Sequence, residues 1–597
     1  MAAAEKPRNG IAGLKHLRHD LLAGLVVSMV SLPLSSGIAI ASGAPPVYGL
    51  ISAIIAGLVY PFVGGSFVTI AGPAAGLAPA LMVTMAALGG AGDADHVGAG
   101  YPLLLVVICA VGLIQVVLAA LKMARFAAIF PISVVEGMLG AIGLLIIVKS
   151  LPMFFGYTGT VHAHGFFAYL AEVPTYLGGA VPEALGLGVA SLVLLFMLSG
   201  RVAKRLPLLQ IIPPQLIAVA FGMVGGVVLG LSAIEPTLLI QVPANPFSGF
   251  QPPDFARMIE RPDLWRAAVI GIVTLTLIDG VESLATAFAI DRIDPFERRS
   301  DPNRVLMAMG VANMVSSLAG GLTVIPGGVK SKTNIAAGGR TLWSNFVNAV
   351  CLIFFLAVAP QVVSMIPKAV LGAVLVYTGW KMCEPSIARH LAAIGREQLW
   401  MYAVTVVVTV TTDLLWGIAV GTALQLLINA LVAKEATQVS LWQSVLGQFQ
   451  SPVVERRSKD GAYELVLNRP LVCFNSSQLA REFEEAPPAT KEVRLFFGRE
   501  VTLVDHTAID RLSQLIATYG EMPVNLAGFE CLQAKAANTK AVRVRNAAAS
   551  RPSMAQGLMV PAVAAIAPVF GEAEVEGRAG KEVAEIVAEE VNTRRQA

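Results

Sequence analysis

From about residue 20 to about residue 433 the chain alternates apolar runs with short polar connections, and most runs approach the roughly 20 helical residues needed to cross a hydrocarbon core. Read as helices, about fourteen such segments occupy 20–42, 46–63, 73–89, 101–121, 131–150, 180–199, 209–230, 265–290, 304–320, 329–339, 342–360, 367–382, 398–414 and 416–433, two of them short. From about residue 437 the period changes. Tyr463-Glu-Leu-Val-Leu467 and Val493-Arg-Leu-Phe-Phe497 alternate as strands do, and Ser476–Glu485 reads as an amphipathic helix. The pattern divides the chain into a cytoplasmic N-terminal segment (1–19), a transmembrane domain (20–436), a small α/β domain (437–545) and a weakly ordered tail (546–597) in which 581–591 has helical character.

Composition agrees with lipid as the main solvent. Of 597 residues, 55% are hydrophobic and 14% charged, against about 25% charged in soluble domains. The formal charge of +3 comes without a contiguous basic stripe, so nucleic acid is not an expected partner. Five cysteines lack paired metal-ligand spacing and read as packing residues. Lys6, Arg8, Lys15 and Arg18 precede the first apolar run, but no small-residue cleavage site follows, so the run reads as a retained span.

Cations near spans favour the cytoplasmic side. With the N-terminus inside, the inner connections carry Lys122 and Arg125; Arg201, Lys204 and Arg205; Arg292, Arg298, Arg299 and Arg304; Arg340; and Lys381, Arg389 and Arg396. Outer connections carry Asp93 and Asp95, a 162–182 stretch without Lys or Arg, and mixed charges near Asp254–Asp263. An even number of spans then returns the chain inside at Lys434.

Two segments interrupt the helical pattern. In Ser66-Phe-Val-Thr-Ile-Ala-Gly-Pro-Ala-Ala-Gly76 a β-branched run meets Gly72-Pro73, with Pro73 expected in the first helical turn. In Gly321-Leu-Thr-Val-Ile-Pro-Gly-Gly-Val-Lys-Ser-Lys-Thr-Asn334 an extended stretch precedes a polar helix start. Non-helical backbone at membrane depth needs burial in protein or a wet cavity. A helix starting there aims free N–H groups and a positive dipole end into that cavity, which suits an anion. Paired breaks, one in each half, are the pattern of transporters built from inverted repeats; the plainer alternative is two Gly/Pro kinks. Lys330 adds a full charge if it faces the cavity, whereas Lys332 is assigned to snorkelling or pairing.

The helix Leu275-Thr-Leu-Ile-Asp-Gly-Val-Glu-Ser-Leu-Ala-Thr286 carries Asp279, Glu282 and Thr286 in lipid, where carboxylates are costly and functional by default. Glu282 and Thr286, four apart, share a face able to hold Na⁺ or a proton. The alternative is a structural ion pair from Glu282 to Lys330 or Lys332, and Asp279 is open to either role. Gln215, Asn313, Asn345 and Asn348 suit interhelical hydrogen bonding. No nucleophile arrangement, metal cluster or nucleotide-binding loop points to an enzyme.

These motifs together resemble the sulfate permease (SulP) family of anion transporters, a membrane domain followed by a STAS domain. Ser31-Leu-Pro-Leu-Ser-Ser-Gly-Ile-Ala-Ile-Ala-Ser-Gly-Ala-Pro-Pro-Val-Tyr-Gly-Leu50 resembles the family's first helix, Ala71-Gly-Pro-Ala-Ala-Gly76 its third, Glu282-Ser-Leu-Ala-Thr286 with Asp291 its eighth, and Lys330-Ser-Lys-Thr-Asn-Ile-Ala-Ala-Gly-Gly-Arg-Thr341 its tenth. The likeness covers about residues 11–545, with the motifs in family order. It implies a polytopic all-α membrane fold of fourteen spans as seven plus seven inverted repeats, core and gate domains with short half-helices three and ten, and a cytoplasmic α/β STAS domain. It also implies a homodimer working as an elevator in a bacterial inner membrane, with both termini cytoplasmic.

By resemblance, anion contacts fall on Gly72, Ala74 and Ala75 and on Val329, Lys330 and Ser331, with Lys330 where many relatives carry Arg. In a Na⁺-coupled bicarbonate relative the Glu282 position is Asp and the Thr286 position Thr. That makes Glu282 and Thr286 the implied cation ligands, with Na⁺ and H⁺ both open because Glu is longer; Lys330 is a further source of the charge a cation supplies elsewhere. Leu34 stands where other branches place a polar residue, so first-helix contacts do not carry over. Leu32-Pro-Leu34, Asp294-Pro295, Arg299-Ser300, Asn303 and Trp343-Ser-Asn345 resemble a bacterial branch associated with carbonic anhydrase. Bicarbonate is therefore the first expected substrate and sulfate the second, with no cofactor beyond a coupling Na⁺. The competing class is a non-transporting anion sensor or scaffold acting through a cytoplasmic partner of the STAS domain. Val501-Thr-Leu-Val-Asp-His-Thr-Ala-Ile-Asp-Arg-Leu512 resembles the STAS strand-loop-helix; His506 stands where a phosphorylatable Ser follows the Asp, leaving Thr507 as a substitute or Asp505 as a plain helix cap.

Overall fold

Apolar runs bounded by Gly and Pro fold into helices whose ends follow those punctuation residues. The computed structural model describes residues 6–90, 97–124, 130–161, 165–199, 214–240, 251–291, 293–358, 360–412, 414–437, 440–459, 461–487, 490–518, 523–545 and 560–561. Arg125, Arg201, Lys204, Arg205, Arg292, Asp93, Asp95 and the expected 581–591 helix lie outside the described residues. The principal elements of the apolar part are α1 (Leu17–Ala41), α2 (Pro46–Val63), β1 (Ile70–Pro73), α3 (Ala78–Ala87), α4 (Tyr101–Ala120), α5 (Ile132–Phe154), α6 (Pro182–Ser199) and α7 (Pro214–Val228). They continue with α8 (Trp265–Asp291), α9 (Pro302–Leu318), β2 (Val324–Gly327), α10 (Gly328–Ala336), α11 (Trp343–Val358), α12 (Lys368–Met382), α13 (Arg396–Thr411) and α14 (Leu414–Thr437). Among the described residues, 7 helical stretches are long and apolar enough to cross a membrane. The protein is an integral membrane protein of predominantly helical fold.

One expected boundary is corrected. Pro73 does not open α3: it lies in β1, opposite Val324 of β2, and the helix begins at Ala78 with Pro79 in its first turn. Strand pairing claims residues 70–73 because their backbone groups would otherwise be unpaired at depth.

By its contacts the chain divides into two compact units, Met1–Ala127 with Met138–Glu384 and Val406–Gly417, and Ala128–Gly137 with Pro385–Thr405 and Ile418–Ala597. In the first, helices meet closely where both carry glycine. A Cβ at Gly112 of α4 would stand 2.6 Å from Gly310 O of α9, and one at Gly310 would stand 2.7 Å from Gly112 O. Gly143 of α5 and Gly379 of α12 repeat this reciprocal contact, at 2.5 and 2.6 Å. Small residues are how helices pack when lipid removes the hydrophobic drive between them.

Charged motif residues brace the helix ends. Asp20, fully buried, accepts from Arg340 N and Thr341 N just before α11. Asp294 and Arg298 form a buried pair at 2.8 Å, and Arg298 also donates to Pro7 O and Arg340 O. Asp301 caps α9 through Asn303 N and Arg304 N.

The second unit contains a small α/β fold. Strands β3 (Val453–Lys459), β4 (Ala462–Leu467), β5 (Glu492–Phe497) and β7 (Val524–Ala527) lie in a sheet in the order β7-β5-β4-β3, with the two-residue strand Val560–Pro561 pairing on the outer side of β7; β6 (Leu503–Val504) lies in a separate sheet, and helices α15 (Ser476–Glu484) and α16 (His506–Thr518) pack alongside. β4–β5 and β5–β7 are parallel, with Leu465 opposite Leu495 and Leu495 opposite Leu526. Alternation puts Tyr463, Leu465, Leu467, Val493, Leu495 and Phe497 into one core with Leu479 and Phe483 of α15 and Ile509 and Leu512 of α16. Asp505 caps α16 by accepting from Ala508 N at 2.7 Å and also accepts from Cys473 N. Thr507 is buried, its hydroxyl accepting from Ile132 N at the start of α5.

The Arg456 guanidinium, held to Glu482 by two hydrogen bonds of 2.5 Å, keeps the Glu482 carboxyl below its ordinary value against the opposing effect of burial. A carboxyl lowered by folding stabilises fully above its unfolded value of about 4.3, and that contribution is lost as pH falls through the lowered folded value. The melting transition of the α/β fold should therefore drop below about pH 4.3, and Arg456→Ala should flatten this dependence. An unchanged acid limb in the variant would remove the pair from this role.

Candidate functional site

The site grows from the antiparallel pairing of β1 with β2, in which Ile70 faces Gly327, Gly72 faces Ile325 and Pro73 faces Val324. Each strand is short, so most of its outer backbone groups need partners from side chains. For β1 these come from Asn345 of α11, which accepts from Ala71 N (2.9 Å) and donates to Thr69 O (2.8 Å). Two residues of α10 add to the clamp: Ser331 Oγ accepts from Ile70 N, and Asn334 donates to Val68 O. For β2, Asn313 of α9 accepts from Val324 N at 2.6 Å. Two of the asparagines that the sequence pattern assigns to interhelical bonding, Asn313 and Asn345, thus also hold the strands, whereas the side chain of Asn348 has no hydrogen-bond partner among the described residues.

Both strands lead into helix starts. α10 opens directly at Gly328 without a side-chain cap, and α3 opens after a turn at residues 75–77, also without one. Ala75, Gly328 and Val329 are only partly buried, whereas Gly72, Ala74, Lys330 and Ser331 are buried. Each strand of the pair is thus followed by a helix that opens without a side-chain cap, leaving donors of its first turn to other partners.

Lys330 supplies the charge. It is 1% exposed, its Nζ donates to Ser35 Oγ of α1 at 3.0 Å, and among the described residues it forms no ion pair. Its ammonium lies against Gly72, on the side where any Cβ would stand. A Cβ at position 72 would push the end of the lysine aside. A buried ammonium with a hydroxyl as partner is poorly compensated, which makes the space beside it favourable to an anion. Ser331, by contrast, spends its hydroxyl on the framework, donating to Gly327 O at 2.6 Å while accepting from Ile70 N. Lys332 is exposed.

The three candidates on α8 separate. Glu282 lies against Gly76 at the approach to α3, and its Oε2 is buried with no hydrogen-bond partner among the described residues. Thr286, one turn on, turns its methyl toward Gly328, 3.9 Å from where a Cβ would be. Glu282 and Thr286 thus face the starts of α3 and α10 respectively. Asp279 is fully buried and occupied: it accepts from Gln115 Nε2 of α4 (2.6 Å), Asn313 Nδ2 (3.0 Å) and Ser283 Oγ (3.2 Å). It anchors the same Asn313 that holds β2. Among the described residues no ion pair joins Glu282 to Lys330 or Lys332, the structural alternative for that carboxylate. Ser35 is the contact of Lys330 that sequence reasoning missed; its signal is the Ser31, Ser35 spacing of four on one face of α1, where the two hydroxyls lie 3.4 Å apart.

Comparison with known proteins bears on this arrangement. A family model described as the sulfate permease family matches residues 17–405. The chain is similar to the putative sulfate transporter YvdB of Bacillus subtilis, 26% identical over 497 residues that cover 83% of this chain and 88% of the relative. It is also similar to the bicarbonate transporter BicA of Picosynechococcus sp., 24% identical over 409 residues, 68% of this chain and 69% of the relative. Among solved structures, the transmembrane domain of a cyanobacterium bicarbonate transporter BicA superposes with a TM-score of 0.57 at 23% identity, covering 68% of this chain and 98% of that one. The overall structure of SLC26A9 gives 0.61 at 18% identity, covering 85% and 84%. These likenesses support the helical membrane fold.

Asn345→Ala should leave Ala71 N–H and Thr69 C=O unpaired at depth, at a cost of about 1–3 kcal/mol for each. Thermal unfolding in detergent should show a clear loss of stability. An unchanged transition would mean that β1 does not depend on this clamp.

Proposed function

Because the chain belongs to the sulfate permease family, we propose that it is a secondary transporter of small inorganic anions that holds its substrate between the starts of α3 and α10. Bicarbonate is the first candidate and sulfate the second, since relatives named for each are similar to this chain. The observation that carries the reading is Lys330: a buried ammonium in the first turn of uncapped α10, hydrogen-bonded to Ser35 and lying against Gly72 of the strand that leads to α3. An anion there completes the charge of Lys330 and accepts from backbone N–H groups of Ala74, Ala75, Val329 and Lys330, with Ser331 lining the same turn. Ser35 then serves as the resting partner of the lysine when no anion is bound.

Glu282 is the coupling residue in this reading. Its unpartnered Oε2 beside the start of α3 is free to take a proton or, with Thr286, to contribute to a Na⁺ site as that cation is carried. Asp279 acts as a positioning residue through Asn313. The reading extends to fourteen spans in two inverted halves, for which the antiparallel β1–β2 pairing with one half-helix following each strand is the supporting feature. It includes a STAS identity for the α/β fold, elevator-type alternating access by a homodimer, and cytoplasmic termini in a bacterial inner membrane.

Uptake of labelled bicarbonate and labelled sulfate into proteoliposomes, with and without a Na⁺ or H⁺ gradient, tests the function. Saturable, gradient-stimulated flux is expected; its absence for both anions would leave a sensor or scaffold as the better account. Lys330→Ala should abolish saturable uptake while preserving the melting transition, and unaltered affinity would take Lys330 out of the site. For Glu282→Gln the expected result is loss of gradient stimulation with anion exchange retained, whereas full stimulation would contradict the coupling role.

A further inference from the structure

Lys149 is a second lysine within a span and takes no part in the arrangement above. It lies on α5, seventeen residues from the Ile132 end, about 26 Å along the helix axis. With α5 rising from the cytoplasmic side, this is the outer half of the membrane, where lysine is under-represented by the charge bias of connections. Its neighbours one turn away on α5 are Leu145, Ile146, Pro152 and Met153, all apolar. Among the described residues no carboxylate pairs with it, and its hydrogen-bond partner is Met82 Sδ at 3.5 Å, a weak thioether acceptor.

The contact with Met82 fixes where the ammonium is. Met82 belongs to α3, four residues or about 6 Å of helix rise beyond its start. Thr84, two residues on and so near the opposite face of α3, packs on Gly271 of α8. α3 therefore has the Glu282 helix on one face and Lys149 on the other. A lysine reaching for headgroups would extend away along its own helix; this one turns across to α3. Lys149 and Met82 are both partly buried as whole residues.

We propose that Lys149 is a second anion-binding station, outward of Lys330 and about one turn of α3 from its helix start, which takes a small inorganic anion on its way between α3 and the outer solution. The proposal rests on the transport reading given above. Chemically the station is a point charge with no organised donors around it, so it attracts small anions without selecting among them. It sets how readily the outward side is loaded, while the two helix starts and Lys330 hold the anion afterwards.

Proteoliposomes with the protein in one known orientation test this with labelled sulfate and labelled bicarbonate supplied from either side. Lys149→Gln should raise the half-saturating concentration for external anion about tenfold and that for internal anion less than twofold, and Lys149→Arg should restore the external value. Equal effects on both sides, or none on either, would overturn the proposal. Acylation of Lys149 by a membrane-impermeant amine reagent, followed in the wild-type chain by peptide mass spectrometry, covers the case of a Gln variant that fails to fold. External sulfate should slow the labelling, and a rate indifferent to sulfate would likewise overturn it. Wild-type liposomes without saturable flux would bring down the transport reading itself. Flux that Lys330→Ala abolishes, with an external half-saturation untouched by Lys149→Gln, would bring down this proposal alone.

Discussion

A backbone amide in hydrocarbon must find a partner or cost several kcal/mol, and this fold satisfies that requirement at the place where its helices are interrupted. β1 and β2 pair with each other, and the groups left over are met by side chains: Asn345, Ser331 and Asn334 for β1, and Asn313 for β2. The N–H groups at the starts of α3 and α10 have no side-chain caps. Donors of this kind at a helix start suit an anion, which is the basis of the proposed site.

Charge follows the same logic at a higher stake. Asp279 is buried with three donors around it and is therefore part of the frame. Lys330 has a hydroxyl partner and lies against a glycine, while Glu282 retains an oxygen with no partner among the described residues. Buried charges left this incompletely met are costly, and the proposed transport reading gives a reason to retain them, with an anion for the one and a cation or proton for the other. Lys330 lies against Gly72 and Glu282 against Gly76, and the two do not pair among the described residues.

Much of this was legible in the chain itself. Gly72-Pro73 and Pro326-Gly327-Gly328 cannot continue an apolar helix, so the two breaks could be read directly, as could Lys330 and Glu282, which stand out against apolar neighbours. What could not be read was how the breaks meet. Pro73 belongs to a strand because its partner, Val324, lies about 250 residues away, and no local pattern carries that pairing. The same holds for Ser35, an ordinary small residue on α1 until Lys330 reaches it, and for the division of labour between Asp279 and Glu282, which depends on Gln115 and Asn313 arriving from other helices. In the α/β fold alternation was a better guide, since β4 and β5 bury every second residue in a single core.

The central claim is that one anion lies between the ends of two interrupted helices, in contact with Lys330. An experimental density map of the protein in a bilayer mimetic with saturating selenate, an electron-rich stand-in for a small oxyanion, tests it most directly. The account predicts a selenium peak placing selenate oxygens within hydrogen-bonding distance of Lys330 Nζ and of the backbone amides at 74–75 and 329–330. A well-resolved map with that space closed by aliphatic side chains, or with the peak bound elsewhere in the membrane domain, would contradict it.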